Sequence, residues 1–263
     1  MNHLKRLSIG LLLVKILISG CWAQSQSRVV AADATISDRF PKVSGVFRMS
    51  DGNIALGRLK KNEVAKDTLW LWNADSVSHT ISAFSASKCL RVMAGAALVP
   101  PRTSCWVALS YDGACNSGYG FFMERFTIKT DDPLSPMKPF TATIRLEEHF
   151  PPMSSEDSLM APRARASATF FDFGKLKPGI VSKKELMLFN DGKRDLVIRQ
   201  ALSNQPNIHL KVAADTVKAG SFTVVTIELN TAGRSGRQSS NFELHVNAPF
   251  SPVIRCDITY VIE

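Results

Sequence analysis

The sequence predicts an all-β protein built from two sandwiches in tandem, and three observations lead there. A stretch of about one hundred residues recurs at a nearly constant offset. Each copy consists of short apolar or alternating runs separated by turn residues. No 11-residue window shows helical periodicity.

The repeat sets the organisation. Ile54-Ala-Leu-Gly57-Arg-Leu59-Lys60 returns 117 residues later as Phe171-Asp-Phe-Gly174-Lys-Leu176-Lys177. Thr68-Leu-Trp-Leu-Trp-Asn73 returns at the same offset as Glu185-Leu-Met-Leu-Phe-Asn190, and Ile81 meets Ile198. Phe126 to Pro136 parallels Phe242 to Pro252 at an offset of 116, so one loop is a single residue shorter. In the second copy Leu186-Met-Leu-Phe189 ends at Asn190-Asp-Gly192, a strong turn signal. Leu196-Val-Ile198, the β-branched run Ser221 to Leu229, Asn241 to Val246 and Ile254 to Ile262 supply further strands. Pro249 and Pro252 mark the last crossover. About seven strands in ~95 residues, with turns every 8–12, is the pattern of an immunoglobulin-like sandwich.

The reading divides the chain into a signal peptide (1–20), a tether (21–42), a first Ig-like domain (43–148), a linker (149–167) and a second Ig-like domain (168–263). Phe150-Pro-Pro-Met-Ser-Ser-Glu-Asp-Ser-Leu-Met-Ala-Pro162 supplies the linker, rich in proline, serine and charge without a period.

The N-terminus reads as an address. Lys5 and Arg6 form a positive region, and Leu7 to Ile18 a short apolar one interrupted by Lys15. Two processing patterns fit. Ile18-Ser19-Gly20-Cys21 resembles a bacterial lipobox, with lipidation of Cys21, while Cys21 and Ala23 also suit ordinary cleavage after Ala23. Either places the mature chain in an exported, disulfide-permissive setting: an outer-membrane or periplasmic lipoprotein, otherwise a periplasmic or secreted protein. No apolar run reaches the ~18 residues of a spanning helix.

The net charge of +9 falls to +6 without Lys5, Arg6 and Lys15, and the remaining excess is spread along the chain. A nucleic-acid binder would show a basic stripe or a motif, and neither is present.

The order Phe173-Gly174, Asn190-Asp-Gly192, Leu196-Val-Ile198, Gly233-Arg-Ser-Gly236 and Asn247-Ala-Pro249 resembles an uncharacterised family of bacterial Ig-like domains. That family is found in exported proteins and lipoproteins of Bacteroides-type bacteria. It is similar to ASH/hydin and major-sperm-protein domains and, more loosely, to periplasmic pilus chaperones. The resemblance covers roughly residues 168–263, and 45–148 more weakly. Many members carry Cys-Gly-Cys after the second strand; here Cys89 alone stands near that place, and the second copy has Asn204-Gln-Pro-Asn207. The resemblance implies a class of module and no reaction.

Known catalytic signatures (HExxH, the Walker loop, GxGxxG, GxSxG) are absent. The only acid–histidine cluster, Glu147-Glu148-His149, reads as a solvated strand end. Asp131-Asp132 before Pro133 reads as turn chemistry. No catalytic residue, metal ligand or cofactor is expected.

Alternation puts Leu69 and Leu71 on one face and Trp70 and Trp72 on the other; Met187 and Phe189 repeat the pattern against Leu186 and Leu188. If the leucines face the core, these four side chains either lie under a neighbouring segment or form a contact stripe for a partner or a glycan. Cys256 and Cys105 alternate in phase with core residues. Cys89 and Cys115 fall at loop edges, and they are the pair to expect if a disulfide forms; four reduced thiols is the alternative.

The function expected is that of a non-enzymatic cell-envelope binding or scaffolding protein working through protein–protein recognition. The alternatives are a chaperone-like subunit that pairs strands and a carbohydrate-binding module. The partners expected are an envelope protein and, through the lipid, the membrane, with no nucleic acid.

Overall fold

The structure is a computed structural model and describes residues 35–263. The signal segment, Cys21 and its lipidation lie outside the described residues.

Two sandwiches follow one another. In the first, β1 (Lys42–Ser44), β2 (Phe47–Met49), β4 (Val64–Asn73), β8 (Ser104–Asp112) and β6 (Leu90–Ala94) form one sheet in that order. It faces β3 (Asn53–Lys60), β10 (Met137–Glu147), β9 (Gly120–Thr130), β5 (His79–Ser85) and β7 (Leu98–Val99). In the second, β11 (Ala164–Ala166), β13 (Val181–Asn190), β17 (Phe222–Asn230) and β15 (Ile208–Val212) face β12 (Phe170–Leu176), β19 (Val253–Ile262), β18 (Gly236–Val246), β14 (Leu196–Ser203) and β16 (Thr216–Val217). The β3–β10 and β12–β19 pairs are parallel and all other pairs antiparallel. The expected all-β, tandem Ig-like architecture is what forms.

The repeated residues have repeated jobs. Leu69 and Leu71, like Leu186 and Leu188, are buried in the core of their sandwich. Asn73 and Asn190 end β4 and β13 with no exposure. The Asn73 Nδ2 donates to the carbonyls of Val77 (2.8 Å) and Val99 (3.0 Å), and the Asn190 Nδ2 donates to those of Arg194 (2.8 Å) and Val217 (3.0 Å). An apolar residue there would leave a buried carbonyl, that of Val99 or Val217, without its donor. Gly57 and Gly174 take φ of 77° and 68° where the parallel ladders slip register, a conformation that disfavours a side chain.

Three features depart from the expected linear layout. Residues 155–160 of the linker form a helical turn, capped by the Ser154 hydroxyl accepting from the Asp157 N–H at 3.0 Å. Next, β11 begins the second sandwich at Ala164, ahead of 168, by pairing with the end of β13. Its Ala164-Arg165-Ala166 sequence alternates, with both alanines against the core, but three residues with small side chains are too short a run to announce a strand. Before β1, the tether carries a helical turn at 35–39, and Phe40 is buried against Trp72, ring centroids 5.8 Å apart.

The sandwiches also touch away from the linker. Tyr119 stacks on His245 at 5.8 Å, and its N–H donates to the Gln200 side chain at 2.7 Å. Arg145 Nη2 donates to both Glu243 oxygens (3.0 and 2.9 Å), and Arg199 pairs with Glu148 at 3.3 Å. Glu148 is therefore no free strand end: the second sandwich covers it. Burial first, and the Glu148 carboxylate second, push the Tyr119 hydroxyl up to about 12.

Candidate interaction surface

The strands β4 and β8 bury alternate residues, so their other face points outward. Cross-strand register arranges that face in three rows. Trp70 stands opposite Trp106. Thr68 stands opposite Ala108, and Ala108 opposite Met93 on β6. Lys66 stands opposite Ser110, and Ser110 opposite Arg91. Met93 is 60% exposed and Trp106 39% exposed. Trp106 lies flat on Gly95; a Cβ there would sit 2.3 Å from the indole, so glycine lets the ring lie against the strand edge.

Of the four side chains expected on an outward stripe, the structure covers two. Trp72 is half-buried beneath Phe40, the neighbouring-segment arrangement. Phe189 is half-buried beneath Arg165, whose guanidinium lies 4.3 Å from the ring centroid and pairs with Asp191. Trp70 is half-buried beside Trp106, and Met187 is 41% exposed. Trp106 and Met93 were not singled out from the sequence. Trp106 was legible: it alternates with Cys105 and Val107, both buried. Met93 was not, because β6 is too short to show its phase.

Cys89 and Cys115 are disulfide-bonded, with Cα atoms 5.4 Å apart. The bond ties the start of β6 to the turn Gly113–Cys115 after β8, bracing the edge of this sheet. Cys105 and Cys256 are free and buried, and burial pushes the Cys256 thiol up to about 11.

At one end of the first sandwich, His79 sits between Asp131 (Nδ1, 2.9 Å) and Asp75 (Nε2, 3.0 Å). The Asp75 hydrogen bond raises its pKa against the effect of burial. Both ring nitrogens are occupied, leaving no lone pair for base catalysis or metal binding. Among the described residues no group of three His, Cys, Asp or Glu is placed to hold a metal ion. Chemically, the outer face offers apolar contact, two indoles and two cations.

Residues 162–258 match the family model described as HYDIN/CFA65/VesB-like, Ig-like domain. The match falls on the second sandwich, in agreement with the resemblance drawn from its turns. A protein of unknown function from Porphyromonas gingivalis W83 superposes with a TM-score of 0.57 at 15% identity, covering 82% of this chain and 100% of that one. The ASH/PapD-like domain 7 of human CEP192 gives a TM-score of 0.33 at 14% identity, covering 44% of this chain and 94% of that one. The YadV chaperone gives 0.29 at 10% identity, covering 81% and 99%. The P. gingivalis protein shares the fold, and the other two add nothing to it. No curated protein sequence matches the chain. An Ig-like architecture of this kind fits a non-enzymatic binding role.

Proposed function

We propose that this chain is a non-enzymatic binding or scaffolding protein of the cell envelope, and that it holds a protein partner on the outer face of the β4–β8–β6 sheet. The observation that carries the reading is the Trp70–Trp106 pair beside Met93. Trp and Met are enriched at protein interfaces, and a large aromatic side chain left in water has an unspent burial free energy of roughly 2–3 kcal/mol. The disulfide and Gly95 hold this sheet edge in shape without a partner, which lowers the ordering cost of association.

The test is a pull-down from envelope fractions with the mature chain and with Trp106→Ser combined with Met93→Ser, folding checked by near-ultraviolet circular dichroism. The reading predicts a stoichiometric protein partner with the parent chain and its loss with the variant. Retention of the partner by the folded variant, or no partner with either chain, contradicts it.

A further inference from the structure

The two sandwiches act as controls for one another, because their sheets share one register. In the second sandwich the row equivalent to Lys66–Ser110–Arg91 is Lys183–Glu228–His209. There the central residue is an acid, and it neutralises its neighbours: Glu228 lies 2.8 Å from Lys183 Nζ and 3.0 Å from Lys211 Nζ. The hydrogen bond from Lys183, and then that from Lys211, holds the Glu228 carboxyl below the usual carboxylate range. That face satisfies its own charge.

The first sandwich lacks the acid. Ser110 occupies the position of Glu228, directly between Lys66 on β4 and Arg91 on β6. Among the described residues neither cation has an ion-pair partner. The position of Lys211 is taken by Met93, in the next row. Between them lies a depression of about 610 Å³ bordered by Lys66, Thr68, Met93, Ala108 and Ser110. Asp67 also borders it, but falls in the strand phase of Leu69 and Leu71, with Oδ1 taken by the Thr68 N–H at 2.7 Å. Ser110 for Glu228, Arg91 for His209 and Met93 for Lys211 together remove the acid, add a cation and add an apolar surface. A merely solvated strand face gains nothing from that combination.

We propose that this row accepts a carboxylate supplied by the partner, and that the partner presents an extended acidic–apolar segment. Its Asp or Glu takes the place that Glu228 fills in the second sandwich, between Lys66 and Arg91. Its next same-face side chain, apolar, enters the depression against Met93 and Ala108. The spacing suits an extended chain, since rows two residues apart on a strand are ~6.6–6.8 Å apart, as are same-face side chains of another strand. β8 lies between β4 and β6, so an extended segment lying on the face along β8 sets its carboxylate between Lys66 and Arg91 and its next same-face side chain over Ala108, beside Met93. This inference rests on the reading of the face as a protein-binding surface and adds the chemistry of what binds there.

The probe is the heptapeptide Thr-Glu-Thr-Val-Thr-Val-Thr, which carries Glu and Val on one face of an extended chain, compared with its counterpart with Lys in place of Glu. Each is titrated into the isotope-labelled mature chain and followed by backbone amide shifts. The proposal predicts that the Glu peptide binds more tightly by about tenfold or more, with salt-sensitive affinity and shifts confined to β4, β6 and β8. Lys66→Glu with Arg91→Glu should reverse the preference. Ser110→Glu, which restores the second sandwich's arrangement, should abolish Glu-peptide binding while leaving the fold intact. Equal binding of the two peptides, shifts elsewhere, or indifference to Ser110→Glu overturns the proposal. So does capture of the chain by phosphatidylglycerol vesicles through this face in place of the peptide, or self-association that Ser110→Glu removes. A pull-down partner lost with Trp106→Ser and Met93→Ser, but kept by Ser110→Glu, leaves the binding face standing and removes the carboxylate.

Discussion

Lys138 and Asp132 form a 2.8 Å salt bridge in which neither side chain reaches solvent. The second sandwich fills the corresponding positions, at the offset of 116, with Ile254 and Ala248. The ion pair serves something the second sandwich does not have, the β1–β2 hairpin. Lys138 Nζ donates to the Ser44 carbonyl at 2.9 Å and lies 4.8 Å from the Phe47 ring centroid. Asp132 Oδ2 accepts the Val46 N–H at 3.0 Å, and Gly45 passes so near that a Cβ would fall 2.0 Å from that oxygen. Burial works against the Asp132 carboxylate, but Lys138 and the backbone donors more than offset it and hold its pKa below the ordinary value.

Removing one partner should therefore cost more than removing both. Lys138→Met leaves a carboxylate without its counter-ion in a dry site and is expected to destabilise the first sandwich by about 3–5 kcal/mol. Lys138→Ile with Asp132→Ala imports the second sandwich's solution and should recover part of that loss, while β1 amides exchange faster. Denaturant unfolding with amide exchange checks both outcomes.

The two buried histidines should respond to pH with opposite signs. The pKa of His79 is raised above 6.5, chiefly by Asp75, so its contribution is present below 6.5 and lost as pH rises through the higher folded value. The pKa of His245 is lowered by burial under Tyr119, so it folds neutral; its contribution is present above 6.5 and is lost as pH falls below that. His79→Asn should flatten the alkaline side of the stability profile and His245→Phe the acid side. Melting temperatures measured across pH test this, and equal effects of both variants on the same side would refute the assignment.

Reduction should loosen the β6 edge before it unfolds the chain. The Cys89–Cys115 bond closes a 26-residue separation, and loss of such a bond costs about 2–4 kcal/mol. Its second end lies four residues before Tyr119, so reduction should also loosen the contact between sandwiches. Cys89→Ala with Cys115→Ala is expected to lower the midpoint of the first sandwich's unfolding and leave that of the second nearly unchanged.

Much of the architecture could be read in the chain because its signals are local. Asn190-Asp-Gly192 announces a turn, and the alternation about Leu186 and Leu188 announces a buried face. The pairings that distinguish the two copies are long-range. Asp132 and Asp131 resemble ordinary turn residues until Lys138, Gly45 and His79 are brought beside them. Glu148 resembles a solvated strand end until Arg199 and Tyr119 cover it. The linker helix offers only six residues, under two turns, too few to show a period. The proposed binding face is half-legible in the sequence. Trp70 was visible by phase, whereas Met93 and the missing acid at Ser110 become meaningful only when β6, β8 and β4 are aligned with β15, β17 and β13.

The central claim is that the first sandwich, through its outer sheet face, holds a protein partner and that the matching face of the second does not. Site-specific photocrosslinking in cells tests it most directly, with the reactive group placed at Thr68 and, as the matched control, at Glu185. The account predicts a discrete protein adduct from Thr68, lost on Trp106→Ser with Met93→Ser, and none from Glu185. No adduct from Thr68, or equal adducts from both positions, would contradict it.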